Sequence, residues 1–450
     1  MAQTKAQLIA PVGSGLTLDG NLTATDLYVS TDYPSVRPAL DFPFALTRKL
    51  DSRITFGRST TGTFVDKDGF IKTSAINQPR FEYDRLTGES LGLLIEEQRV
   101  NLNTNSENIG TGYAVYRHTQ TLNVGIAPDG NTTADLMTED TTTYDMRRIE
   151  KGYALTANTS YTLSFFVKPN GRNFFGIIWF GDNGVFSHTR SVFQLTGDGT
   201  VLEQGTNATS SVQRYPNGWY RIISTNTALT TATGYVGIGF GNSQSTCASA
   251  ASTYTGDGIS GAYIWGIQLE AGSFATSYIP TTTATVTRSP DITSISSSNM
   301  SWFRPQEGTW VIDTYKTGGL TGTYSALFYI YPTTPNRQEL WKAFSSARLR
   351  YNYYDDSGTS QVGITASNDL VSGRNKIYAA YKTNDCTLGI NGVNAGTDTV
   401  ATMQTSLSSS TYMGLFSVPI GSGEFWNGHI SRFTYYPVKL NSTQLTNLTL

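Results

Sequence analysis

Along most of this chain apolar and polar residues alternate with a period of two, in short runs punctuated by Gly, Asn, Asp and Pro. Tyr161-Thr-Leu-Ser-Phe-Phe-Val-Lys168 stops at Pro169-Asn-Gly171, and Trp219-Tyr-Arg-Ile-Ile223 follows the turn Tyr215-Pro-Asn-Gly218. Tyr235-Val-Gly-Ile-Gly-Phe-Gly241 puts Val236, Ile238 and Phe240 on one face and glycines on the other, the mark of a strand approached closely by another backbone or ring. In Tyr263-Ile-Trp-Gly-Ile-Gln-Leu269, Tyr263, Trp265, Ile267 and Leu269 fall on one side. Strands at this regular spacing predict an antiparallel β-sandwich over residues 103–290. A second set begins at Gly308-Thr-Trp-Val-Ile-Asp-Thr-Tyr315 and predicts another sandwich over 291–450. Its clearest hairpin is Cys386–Val393, because Asn391-Gly392 suits a type I′ turn. Only the end reads as helical, with Ser442 as N-cap ahead of Leu445 and Leu448. No βαβ alternation occurs, so the expected fold class is all-β.

The first hundred residues divide differently. Residues 1–36 are small, polar and extended, with Leu16, Leu18, Leu22 and Ala24 flanking the turn Asp19-Gly20-Asn21. They cannot bury a core alone and read as an arm for attachment or oligomerisation. Residues 37–102 read as a small β domain. Thr63–Lys72 forms a hairpin turning at Lys67-Asp68-Gly69, which accounts for Asp66 and Asp68 better than calcium binding does. Leu91–Arg99 fits a buried strand or a short helix, and its glycine and isoleucine tip it towards strand. The Ser/Thr-dense stretch 281–298 reads as a connector.

Composition narrows the function classes. With 450 residues the chain can bury a sizeable core without metal or disulfide staples. Charged residues are only 15% and the net charge is −2, so there is no basic excess to hold nucleic acid. Aromatics at 12% argue against disorder. The two cysteines, Cys247 and Cys386, are far apart and read as isolated thiols of a chain made in a reducing compartment. The N-terminal stretch has no apolar segment resembling a signal peptide, and the longest apolar run, Phe174–Phe180, is far short of a membrane span.

Recognisable catalytic motifs are missing. There is no His-Glu-x-x-His, no Gly-x-Ser-x-Gly and no phosphate-binding loop, and His118, His188 and His429 are too scattered to predict a metal site. Glycoside hydrolysis needs only two carboxylates. Glu96/Glu97, Asp182 and Asp355/Asp356 are the candidates, each read more simply as structural. Flat rings beside polar groups suit sugar faces and hydroxyls. Trp179 with Asp182 and Asn183, and Tyr351, Tyr353 and Tyr354 with Asn352, are therefore the candidate glycan-binding residues. The competing reading makes Trp179 a core residue and the tyrosines one strand face. No cofactor or metal is expected.

Three strings resemble modules of tailed-bacteriophage virion proteins. The first is Ile54-Thr-Phe-Gly-Arg-Ser-Thr-Thr-Gly-Thr-Phe-Val-Asp-Lys-Asp-Gly-Phe-Ile71, continued by Pro79-Arg-Phe-Glu-Tyr-Asp84 and Gly92-Leu-Leu-Ile-Glu-Glu-Gln-Arg-Val-Asn-Leu102. The second, Trp265–Pro280 with Val286-Thr-Arg288, closes a sandwich similar to carbohydrate-binding modules of phage fibres. The third, Asn427–Pro437 through Leu445, is similar to the end of concanavalin/laminin-G-like domains. The resemblance implies a non-enzymatic virion appendage, a tail fibre that contributes to host-surface glycan attachment. The alternatives are a head fibre or capsid decoration protein without ligand, and a polysaccharide-degrading tailspike. It further implies a homotrimer, joined to other virion proteins through residues 1–36, contacting host polysaccharide, neither binding nucleic acid nor entering a membrane, and assembled in the host cytoplasm.

Overall fold

The computed structural model describes residues 34–320, 324–331, 337–355, 357–403, 412–417 and 424–450. Nearly all of the proposed arm, residues 1–33, lies outside them. The alternation is realised as an all-β chain of antiparallel sheets stacked in two sandwiches. In the middle sandwich one six-stranded sheet runs Ala208–Arg214, Tyr220–Thr227, Ser160–Asn170, Gly261–Ala271, Thr132–Glu139, His118–Ile126. The other runs Thr200–Glu203, Thr189–Gln194, Phe174–Gly181, Ala232–Gly241, Arg147–Leu155, Ala114–Tyr116. Phe165, Ile177, Trp179, Phe193, Ile222, Ile238 and Leu269 fill the space between them. The glycine face of Ala232–Gly241 has the expected cause: a Cβ at Gly239 would collide with the Arg147 carbonyl of the neighbouring strand.

One register expectation fails. Ile267 and Leu269 enter the middle core, but Trp265 and Tyr263 face the opposite way, towards Phe166, Trp219 and Tyr278. Gly266 has φ +65°, and the pairing with Ser160–Asn170 slips between Ser164 and Phe166. An extra residue at that point switches the face presented by every residue after it.

The terminal sandwich recruits strands from residues 40–95. Its larger sheet runs Val393–Asp398, Cys386–Ile390, Gly373–Lys382, Glu307–Lys316, Gly428–Tyr436, Ser90–Ile95, Arg80–Tyr83, and Leu40–Phe42 also pairs with Gly428–Tyr436. The facing sheet runs Ile54–Gly57, Ile292–Ile295, Tyr412–Leu415, Ser325–Tyr331, Arg337–Lys342, Leu349–Tyr354, Ser360–Thr365. Phe42, Leu93, Ile95, Trp310, Phe328, Tyr351 and Phe433 share its core. Residues 37–102 therefore do not close on themselves. Their strands are three to six residues long: Leu40–Phe42, Ile54–Gly57, Arg80–Tyr83 and Ser90–Ile95 complete sheets whose other strands come from beyond residue 290, while the Gly62–Val65/Ile71–Ser74 hairpin buries Val65 and Ile71 against Phe166, Trp219 and Tyr278 of the middle sandwich. The supposed connector supplies Val286–Arg288, paired with Arg99–Asn101, and Ile292–Ile295.

Local turn chemistry behaves as the residues dictate. The Gly62–Val65/Ile71–Ser74 hairpin turns where the Asp66 carboxylate accepts from the backbone N–H of Asp68 and Phe70, so Asp66 caps a turn. Asn391 (φ 51°) and Gly392 (φ 78°) make the left-handed pair that a type I′ turn requires. The terminal helix Ser442–Thr449 is capped by Asn441, one residue earlier than expected, through reciprocal bonds with Gln444.

Candidate functional site

Where the first string, the end of the second and the strands of the terminal sandwich converge, charged side chains are buried together. Arg80 donates to Glu96 Oε2 at 2.8 Å and to Asp291 Oδ2 at 2.5 Å, and Arg58 donates to Asp291 Oδ1 at 3.0 Å. Arg288 lies 3.5 Å from Glu96, whose carboxylate also accepts from Ser277 N and Oγ, both at 2.7 Å. Burial alone would push the Glu96 carboxyl upward. The Arg288 and Arg80 charges and the Ser277 hydrogen bonds outweigh it and hold the group well below the usual carboxylate range. In its ionised form Glu96 balances the guanidinium charges packed around it. The cluster is a clasp joining the two sandwiches. Glu97 is also engaged: Arg99 Nη2 lies 2.6 Å from one carboxylate oxygen, and Asn427 Nδ2 donates to the other at 2.8 Å.

Beside the clasp opens a cleft of about 290 Å³, near the lower end of ligand-site volumes. One wall is the outward face of Ala208–Arg214 and Tyr220–Thr227. There the strand alternation aligns Thr209, Ser211 and Gln213 on the same side, with Thr225 on the neighbouring strand. The cleft is also lined by the half-buried Phe64 of the hairpin, with Glu82, Tyr83 and Arg85. His429 also lines the cleft: its Nε2 donates to Glu82 Oε2 at 2.6 Å, while Glu82 Oε1 accepts from Val65 N–H at 2.8 Å. A half-buried ring beside a row of hydroxyl and amide groups matches the needs of a sugar, whose apolar face packs and whose hydroxyls exchange hydrogen bonds.

The sequence-predicted site residues do not gather there. Trp179 is fully buried, its Nε1–H donating to Ser224 Oγ at 3.0 Å and its ring packing edge-on against Phe186. Tyr351 and Tyr353 are also core, bonded to Gln338 and to the Pro305 carbonyl. These three are corrected from glycan-binding to core, because their strand face turns into the sandwich. Tyr354, on the other face, is half-buried under the Arg337 guanidinium at 3.7 Å. Asp182 and Asn183 are exposed on a short turn. Asp355 is a half-buried turn carboxylate bonded to Ser357, Thr359 and Gln361, and Asp356 lies outside the described residues. Among the described residues no His, Cys, Asp and Glu side chains group as metal ligands. Cys247 and Cys386 are free, buried thiols.

Sequence reasoning missed Phe180 by one position. It faces away from the core, stacked on Tyr235 at 5.3 Å and 17°, with His188 alongside at 5.7 Å. It missed the cleft altogether, since the polar row of Ala208–Arg214 carries no motif. The alternation Thr209, Ser211, Gln213 was the available signal.

No family model matches the chain, and no curated protein matches it either. Solved structures with partial likeness include a Trypanosoma rangeli sialidase with 2,3-difluorosialic acid, 10% identical over 75% of this chain and 62% of that one, with a TM-score of 0.30. Domain 4 of an extracellular arabinanase from Geobacillus stearothermophilus, in complex with arabinotriose, is 12% identical over 40% of this chain and 84% of its own, with a TM-score of 0.28. The SAP-like pentraxin of Limulus polyphemus is 10% identical over 33% and 72%, with a TM-score of 0.25. Likenesses this distant carry no argument about site or activity.

Proposed function

We propose that this chain is a non-enzymatic, glycan-binding appendage of a tailed-phage particle, a fibre that holds host-surface polysaccharide in the cleft between its two sandwiches. The observation that carries the binding role is the cleft itself, lined by Phe64 together with the hydroxyl and amide row Thr209, Ser211, Gln213 and Thr225. The particle assignment rests on the three sequence strings. Low charge suits the role, because contacts made by neutral hydroxyl and amide groups are little affected by salt. Residues 1–36 are the segment for attachment and trimerisation, and three copies would multiply weak sugar contacts through effective concentration. Binding of the purified protein to immobilised host polysaccharides tests the reading. The expected result is retention without release of reducing ends, weakened about three- to tenfold by Phe64→Ala. No retention, or equal retention of the variant, overturns the cleft assignment, and release of reducing ends overturns the non-enzymatic one.

A further inference from the structure

Three adjacent strands of the terminal sandwich end side by side, and each delivers one reactive group. Lys316 closes Glu307–Lys316 and pairs with Gly428. Asn427 precedes Gly428–Tyr436, and Glu97 follows Ser90–Ile95, whose Ile95 pairs with Gly428 from the other side. Lys316 and Asn427 are each 1% exposed. The Lys316 Nζ donates to the Trp426 carbonyl oxygen and, at 3.2 Å, to Ser325 Oγ, with the Trp426 ring centre 5.0 Å away. That carbonyl belongs to the peptide bond between Trp426 and Asn427, so the amine is held one peptide unit from the asparagine backbone, on the strand paired with it. The Asn427 amide is clamped at both ends by Glu97: its Oδ1 accepts from the Glu97 backbone N–H at 2.9 Å, and its Nδ2 donates to the Glu97 carboxylate at 2.8 Å.

Each of these contacts has a part in acyl transfer. Burial, helped by the nearby Lys342 charge, pushes the Lys316 amine well below its usual value, towards the neutral nucleophile. A neutral amine that donates both hydrogens keeps its lone pair free. The Glu97 N–H sits on the oxygen that would gain charge when Cγ is attacked. The Glu97 carboxylate sits on the nitrogen that would leave.

We propose that Lys316 Nζ and Asn427 Cγ join in an intramolecular amide, with Glu97 relaying the proton. The Nζ–Cγ bond forms and the Cγ–Nδ2 bond breaks. One amine proton passes through the Glu97 carboxylate to Nδ2, which departs as ammonia. The step is redox-neutral and needs no co-reactant. It ties the last long strand to its neighbour at the edge of the core.

Intact-mass measurement of the denatured wild-type protein tests this directly. The expected mass is lighter than that of the sequence by one ammonia, with a branched proteolytic peptide joining the segments around Lys316 and Asn427. Lys316→Arg and Glu97→Gln are expected to retain the full mass. A full-mass wild-type chain overturns the proposal. So does an ammonia loss that persists in Lys316→Arg, which would assign it to cyclisation at Asn427-Gly428. The wild-type peptide map decides the matter whether or not the variants fold.

Discussion

Trp179 and Phe180 are chain neighbours on one strand with opposite surroundings, the first sealed in the middle core and the second stacked on the outer face. Trp179→Ala is expected to cost about 3–5 kcal/mol of stability through the lost burial and the cavity left behind. Phe180→Ala should cost much less, and urea denaturation of both variants measures the difference. Alternation makes it legible that such neighbours face opposite ways, but it does not reveal which face is inward. That is decided by a sheet whose strands lie elsewhere in the chain, and it is why the sequence admits both a glycan-binding and a core reading of Trp179, Tyr351 and Tyr353. His118 shows a titratable group set by the same burial. Its Nδ1 bonds the Tyr116 carbonyl at 3.1 Å, its Nε2 has no partner among the described residues, and burial lowers its pKa to about 4. The unfolded chain takes up a proton near pH 6.5 and the folded chain does so only near 4. This contribution is therefore fully present above pH 6.5 and is lost as pH falls from 6.5 to 4, by about 3 kcal/mol at most. Melting measured across that range should show a smaller pH dependence in His118→Gln.

At the scale of elements, the buried clasp explains what the motif strings are for locally. Arg58 and Asp291 meet across 233 positions of sequence. No window along the chain could show that these charges are partners rather than a solvated surface. The hairpins were legible because Asn391-Gly392 and Asp66–Gly69 carry their turn chemistry within a few residues. The clasp was not, because its geometry is entirely long-range. Removing one member leaves buried charge uncompensated, so Asp291→Asn or Arg80→Met is expected to destabilise the protein by about 3–5 kcal/mol. Replacing a buried ionic group together with its partners by apolar residues of similar volume can be far less costly. A double variant, Arg80→Met with Glu96→Met, should consequently fall short of the sum of its single changes, as a thermodynamic cycle would show. The Glu96 pKa is depressed in the folded state, so its contribution is fully present above the ordinary carboxylate value of 4.5 and disappears on acidification below it. Acid unfolding should begin at higher pH in the single variants than in the wild type.

For the whole molecule, the chain path decides which parts stand alone. Every strand of the middle sandwich lies between Ala114 and Ala271, so both of its sheets are contributed by one continuous segment. The terminal sandwich is discontinuous: Leu40–Phe42, Ile54–Gly57, Arg80–Tyr83 and Ser90–Ile95 enter its sheets from the far side of the middle one. Phe42, Leu93 and Ile95 occupy its core, and removing them would expose Trp310, Phe328 and Phe433 to water. Three large side chains lost from one core forfeit about 2–5 kcal/mol each, comparable in sum with the whole stability of a typical domain. A fragment of residues 103–290 is therefore expected to fold cooperatively on its own. One of residues 291–450 is expected to remain unfolded or aggregate until a peptide spanning residues 37–102 is supplied. Circular dichroism and amide-exchange protection of the separate and mixed fragments measure this. Independent folding of 291–450 would show that the early strands merely decorate a core already sufficient. If protection appears only on mixing, those strands are integral to that core, and the clasp and the cleft beside it form only once they have docked.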